Sequence, residues 1–294
     1  MAVFTVDIPV RWTDLDAQAH VNNAVVVDYL QEARIDVLLN SPNAALLGGG
    51  IIIVSHAVEY LAPISYDSEP LSIQLRLGDV GAARLSYDYE VSQRGRPAAR
   101  ARSQACVFDF EAGTPRRFTP DERAWFAHVA EPLEPWTPLG TFAIGEDAHR
   151  HDFSVRWSDL DSYGHVNNMM FFTYVGEARV ALNHAIDPTI LPTEMASRST
   201  GVLLIARQDF RYLAQLEHRL EPYRVKTAVA HVGRTSMTFA HEIVDPLDGR
   251  VFGRGEVVLV HADLDGRPTP VPDTFRAAAA QWPAVRATAP GRRG

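Results

Sequence analysis

Two aspartates, a histidine and a pair of asparagines recur at one spacing in two places along this chain. The first copy reads Arg11-Trp12-Thr13-Asp14-Leu15-Asp16 and continues Ala17-Gln18-Ala19-His20-Val21-Asn22-Asn23. The second reads Arg156-Trp157-Ser158-Asp159-Leu160-Asp161 and continues Ser162-Tyr163-Gly164-His165-Val166-Asn167-Asn168. The displacement is 145 residues (156 − 11), and it holds without a gap through Glu32-Ala33-Arg34 and Glu177-Ala178-Arg179. A carboxylate just upstream of a helix lies where free N–H groups and the helix dipole favour negative charge. Such a loop can carry a general base or a nucleophile beside donors for a developing oxyanion. It can equally be a pair of acidic braces with no chemistry. His20 and His165 have the same two readings, a backbone brace or a contact to substrate. A metal site would need a further ligand cluster, and no HxxxH segment or second carboxylate group accompanies either copy, so no metal is expected. There is no Gly-x-Ser-x-Gly segment, and Gly48-Gly49-Gly50 lacks the Lys-Ser/Thr of a phosphate loop and reads as a turn before a strand.

The elements around these loops repeat as well. Residues 3–10 read as a strand. After the loop 11–21, Asn22 or Asn23 is placed to cap a helix. Val26, Tyr29, Leu30, Ala33 and Val37 then recur at spacings of three and four, which makes one helical face. The helix should end near Asn40-Ser41-Pro42, because the residue before a proline resists helical geometry. Four strands are expected at 51–61, 70–79, 83–93 and 98–110, with Pro63, Gly78, Gly81, Gly95 and Pro97 at or between their ends. The second half gives a strand at 151–156, the loop 156–166, a helix from Asn168 to about His184, and strands at 202–213, 223–232, 235–244 and 251–262. The inner face of the second helix would carry Phe171, Tyr174, Val175, Ala178 and Leu182. Val58-Glu59-Tyr60-Leu61 matches Phe210-Arg211-Tyr212-Leu213 at a displacement of 152 (210 − 58), so the second half carries a net insertion around Asp187-Pro188 and Leu191-Pro192.

These patterns imply an α+β chain with one domain over 1–112, a Pro-rich linker over 113–150 with a short helix at 120–129 behind Thr119-Pro120, a second domain over 151–264, and a tail over 265–294. A short Ala-rich helix should follow Asp273, and the last residues, Ala289–Gly294, should be loose. The formal net charge of −8 disfavours binding nucleic acid through phosphate neutralisation. Cys106 is the sole cysteine and sits in an apolar run, so it is expected in the core of a protein kept in a reducing compartment. No apolar run is long enough to span a bilayer and the N-terminus lacks the pattern of a signal peptide, which places the expected location in the cytoplasm.

Asp-x-Asp-x-x-Gly-His-Val-Asn-Asn followed by an aromatic-rich helix and Glu-Ala-Arg resembles the hot-dog-fold acyl-CoA thioesterases of the 4-hydroxybenzoyl-CoA thioesterase-like family. The resemblance covers roughly 3–110 and 151–262. It implies two fused hot-dog units, each a five-stranded antiparallel sheet wrapped around a long central helix, with active sites at the interface between units. It also implies that the second Asp of each pair, Asp16 and Asp161, is catalytic, and that the carbonyl is polarised by the backbone N–H of Asn23 and of Asn168. His20, Asn22, Gly164, His165 and Asn167 then become the expected substrate-binding residues, with Tyr29, Phe171 and Phe172 closing the acyl pocket. The implied reaction is hydrolysis of an acyl-CoA, with no cofactor. An acyl-carrier-protein thioesterase and a non-catalytic acyl-binding protein are the alternatives, and a homo-oligomer of the doubled chain fits this architecture. The copies differ at one place: Ala19 stands where the family pattern and the second copy have Gly164. If the loop needs a positive φ there, Ala19 costs about 1 kcal/mol or forces another conformation, which makes Asp161 the stronger candidate.

Overall fold

The computed structural model describes residues 2–48, 50–188 and 201–286. Contacts divide the chain into two units, Met1–Thr137 and Pro138–Gly294, with the boundary inside the Pro-rich segment. Residues 191 and 192 of the expected insertion, and the terminal 289–294, lie outside the described residues.

In the first unit β1 (Phe4–Ile8) leads through the loop to α1 (Asn23–Leu39), followed by β2 (Ile51–Tyr60), β3 (Leu71–Gly78), β4 (Arg84–Gln93) and β5 (Arg96–Asp109). The strands pair antiparallel in the order β1-β3-β4-β5-β2. The anticipated face of α1 is buried along its length: Val26, Tyr29, Leu30, Ala33 and Val37 all lie in the core. It meets a sheet face built from Leu71, Ile73, Leu75 and Leu77, four side chains with no exposed surface. Burying each is worth roughly 1.5–3 kcal/mol, so the helix is held mainly by this face. Cys106 is buried as a small apolar residue. A two-residue strand β6 (Thr114–Pro115) pairs with β5. Helix α2 (Pro120–Val129) starts where Thr119 and Glu122 cap each other, Glu122 N–H donating to Thr119 Oγ1 at 3.2 Å and Thr119 N–H to Glu122 Oε2 at 2.8 Å. Its Phe126 is buried against Phe118.

The second unit holds β7 (Phe142–Ile144), β8 (His149–Phe153), α3 (Asn168–Ile186), β9 (Val202–Tyr212), β10 (Tyr223–Val232), β11 (Ser236–Val244), β12 (Val251–Ala262), α4 (Asp273–Ala279) and β13 (Ala284–Arg286). Its main sheet runs β8-β10-β11-β12-β9, again antiparallel, and β13 pairs with β7 separately. Phe171, Tyr174, Val175, Ala178 and Leu182 face inward from α3 as expected. Gly253 and Gly255 on β12 make room for the Phe210 ring, which would lie about 2.5 Å from a Cβ at either position. That ring packs in turn on Phe171, Phe172 and Tyr212. Helix α4 closes one end of this core with Phe275 and Ala279.

One carboxylate on the face of its strand turned away from the core is nonetheless buried. Glu256 on β12 is paired in register with Asp209 on β9, and Leu139 N–H and Thr141 Oγ1 reach Asp209 and Arg211 beside it. Burial pushes its carboxyl up to about 7, Arg211 and Arg254 work against that, and the Asp209 charge adds to it. Between the ordinary value of 4.5 and about 7, the folded chain therefore keeps a proton that the unfolded chain releases. Stability falls as pH rises through that window, and the penalty stays constant above it. Glu256→Gln is expected to raise unfolding stability at pH 8 by up to about 3 kcal/mol and to change it little at pH 4.5. Urea denaturation at the two pH values checks this, and equal changes at both would contradict it.

Candidate active site

Each of the two repeated loops begins as a single 3-10 turn, Trp12–Asp14 and Trp157–Asp159, and folds back through an antiparallel bridge, Leu15 to Val21 and Leu160 to Val166. The backbone then ties the loop to the helix it introduces. Asn22 N–H donates to Asp14 O at 2.9 Å and Asn167 N–H to Asp159 O at 2.8 Å. Val21 N–H reaches Ile64 O at 2.8 Å, and Val166 N–H reaches Leu216 O at 3.0 Å, so each loop is also tied to the connection between the first two strands after its helix.

The two aspartates of each copy have different jobs. Asp14 and Asp159 are buried. Asp14 Oδ2 accepts from Tyr29 Oη at 2.5 Å and from Arg11 N–H at 3.0 Å, and Asp159 Oδ2 accepts from Tyr174 Oη at 2.7 Å and Arg156 N–H at 2.8 Å. Burial alone would push the Asp14 carboxyl up, but the Arg11 and Tyr29 hydrogen bonds outweigh it and hold it below the usual range. Burial, with the adjacent carboxylate, raises both tyrosines, so they stay protonated donors. Tyr29, expected at the acyl pocket, is instead the brace of this first Asp.

Asp16 and Asp161 are partly exposed. Each uses one carboxylate oxygen to hold the turn: Asp16 Oδ1 accepts from Gln18 N–H at 2.8 Å, and Asp161 Oδ1 from Tyr163 N–H at 2.9 Å and His165 N–H at 3.3 Å. The Oδ2 of both has no partner among the described residues. Their own N–H groups donate to His20 O and His165 O at 2.8 Å. The histidines thus brace the loop through their backbones, one of the two roles the sequence allowed. Burial pushes the Tyr163 phenol up, and the nearby Asp161 charge adds to the shift.

The helix starts are alike. Asn22 Oδ1 accepts from Ala24 N–H at 2.9 Å and Asn167 Oδ1 from Met169 N–H at 3.1 Å. These two asparagines, expected to bind substrate, have that oxygen committed to the cap. The N–H groups of Asn23 and Asn168 have no acceptor among the described residues. Sequence reasoning missed one partner here: Tyr60 Oη donates to Asn23 O and Tyr212 Oη to Asn168 O, each at 3.0 Å. The matched Val-Glu-Tyr-Leu and Phe-Arg-Tyr-Leu segments carried the signal. Tyr212 is itself held edge-on to Phe171 at 5.0 Å, so the aromatic core fixes the start of α3. Gly164 has φ +76° and Ala19 has φ +59°, so the first loop keeps the shape of the second and bears the strain of an alanine in the left-handed region.

Each unit also buries a histidine against a hydroxyl on the neighbouring strand. His56 Nδ1 lies 2.6 Å from Ser103 Oγ and His241 Nδ1 lies 3.0 Å from Thr227 Oγ1. Burial, helped by the charges of Arg34 and Arg179, holds His56 well below its ordinary range and brings His241 down to about 3. Among the described residues no group of His, Cys, Asp and Glu is arranged to hold a metal ion. No helix among them is long and apolar enough to cross a membrane.

A carboxylate with one uncommitted oxygen, in the loop that leads into a helix with an uncommitted first N–H, can activate water or attack a carbonyl while the N–H receives the developing negative charge. Comparison with known proteins gives the family and the fold. The family model of the thioesterase-like superfamily matches residues 10–126 and 155–279. The chain is 27% identical over 139 residues to the uncharacterised protein YsmA of Bacillus subtilis, covering 47% of this chain and 84% of that one. Among solved structures it resembles a Lactobacillus plantarum protein assigned as an oleoyl thioesterase, with a TM-score of 0.70 at 14% identity over 92% of this chain and 98% of the other. It also resembles the 12:0-ACP thioesterase of Umbellularia californica, with a TM-score of 0.68 at 14% identity over 88% and 94%. At that identity the structural likeness is one of fold, and the fold is the hot-dog.

Proposed function

The chain belongs to the thioesterase-like superfamily, and from that premise we propose that it hydrolyses acyl-CoA thioesters to the free acid and CoA. The observation that carries the reading is the pairing, made twice, of a carboxylate with a free Oδ2 and an uncommitted N–H at the first residue of the following helix. Asp161, and Asp16 in the first unit, takes a proton from water as the water attacks the thioester carbonyl, or attacks that carbonyl itself to give an acyl-enzyme anhydride that water then opens. In either course the carbonyl oxygen becomes an oxyanion facing Asn168 N–H or Asn23 N–H. The C–S bond breaks as the oxyanion collapses, and the CoA thiolate leaves and is protonated. One preorganised donor of this kind is worth on the order of 3 kcal/mol in the barrier. No cofactor enters these steps.

The reading is tested by offering the protein acyl-CoAs of graded length and aromatic acyl-CoAs, with release of free thiol as the readout. Hydrolysis of at least one class is expected. A protein that hydrolysed no thioester would instead be an acyl-binding module.

A further inference from the structure

The 3-10 turn that opens each loop turns its tryptophan outward, leaving Trp12 71% exposed and Trp157 77% exposed. Each indole stands edge-on to a side chain from the connection between the first two strands after its central helix. Trp12 meets Tyr66 at 5.4 Å and 88°, and Trp157 meets His218 at 5.8 Å and 80°. Tyr66 and His218 are again 152 residues apart (218 − 66). The core does not need these rings, because both are largely in water.

The neighbouring arginines separate the two surfaces. Arg11 is held by Asp14 at 3.0 Å and by Asp28 at 3.1 Å. Thr173 stands at the position of Asp28 in the second copy, and the Arg156 guanidinium, unlike its backbone N–H, has no carboxylate partner among the described residues. The second unit therefore presents an open aromatic face beside an unneutralised guanidinium, and the first presents the ring beside a neutralised one. A flat π-surface with an adjacent free guanidinium suits a purine that carries phosphate groups. We propose that Arg156, Trp157 and His218 bind the nucleotide end of CoA, with adenine stacked on the Trp157 indole and phosphate paired with Arg156. This rests on the thioesterase reading above and selects CoA over a carrier protein as the thiol component. Trp157 lies four positions before Asp161 on the same loop, which puts the aromatic face next to the candidate base.

The test compares one acyl group on CoA and on N-acetylcysteamine, which lacks the nucleotide. Trp157→Ala is expected to raise KM for the acyl-CoA about tenfold, the lower-middle range for losing a base stack, with kcat held. The same variant should hydrolyse the N-acetylcysteamine ester as the wild type does, and adenosine 3′,5′-bisphosphate should inhibit the wild type far better than the variant. Arg156→Gln should act in the same direction, whereas Trp12→Ala should leave the acyl-CoA KM unchanged. An unaltered acyl-CoA KM in Trp157→Ala overturns the proposal. So does an equal loss on both esters, or a change in oligomeric mass that would mark the ring as a contact between copies. Wild type hydrolysing neither ester would instead defeat the thioesterase reading itself.

Discussion

Replacing both Asn23 and Asn168 with proline is expected to lower kcat for thioester hydrolysis by about 10²–10³-fold while the protein stays folded. The substitution removes the one atom pair in question, the backbone N–H. Both residues are the first of their helices, where proline is favoured because the N–H there has no partner within the helix and φ is already near the required value. The residue before a proline must be extended, and Asn22 (φ −58°, ψ 134°) and Asn167 (φ −56°, ψ 136°) already are. The caps survive, because they run from Asn22 and Asn167 to Ala24 and Met169. The contacts from Tyr60 and Tyr212 also survive, since they use the carbonyls of Asn23 and Asn168. Alanine at the same two positions keeps the N–H and is the control. A circular-dichroism melt verifies the fold, and equal kcat for the proline and alanine pairs would remove the oxyanion role from these donors.

The helix starts could be placed from sequence because capping is local. An asparagine, a following apolar stripe and Asn40-Ser41-Pro42 mark both ends of α1, and Thr119-Pro120 marks the start of α2 in the same way. Which member of Asp14-Leu15-Asp16 keeps an uncommitted carboxylate oxygen is not a local property. Both carboxylates precede the helix, and what separates them is a hydroxyl fifteen residues away, Tyr29 for the first copy and Tyr174 for the second. Those tyrosines recur at the 145-residue displacement, so the repeat held the information, but only the turn of the helix over the loop gives it meaning. Ala19 shows the opposite limit. The Gly164 contrast pointed to a strained or altered loop, and the surrounding hydrogen bonds decide for strain, since Asp16 N–H to His20 O and Ala19 N–H to Asp16 O are kept at 2.8 and 3.0 Å. Glu256 escaped notice because strand alternation says which face a side chain takes and nothing of what later covers that face.

Asp161→Asn is expected to cost more activity than Asp16→Asn, and the two together to lower kcat by about 10²–10⁴-fold, the range for a positioned acid–base group. Asparagine is the discriminating replacement because Oδ1 is the oxygen that holds the turn. An amide still accepts from Tyr163 and His165 at one site and from Gln18 at the other, while the charge and basicity of Oδ2 are lost. A loop that merely braced the helix would therefore tolerate the change, and a loop that does chemistry would not. The ranking follows from how firmly each carboxylate is aimed. Two N–H groups fix Asp161, a half-buried Tyr163 lies beside it, and a glycine takes the positive φ without strain. One N–H fixes Asp16, beside an exposed Gln18 and a strained Ala19. Poorer aim lowers the fraction of time the base faces the attacking water, which appears in kcat more than in KM. Steady-state kinetics on the best acyl-CoA from the panel, with urea unfolding of each variant to verify the fold, separates the two sites. Equal losses from the single variants would mean that the strain at Ala19 has no catalytic consequence, and an active double variant would return both loops to the role of acidic braces.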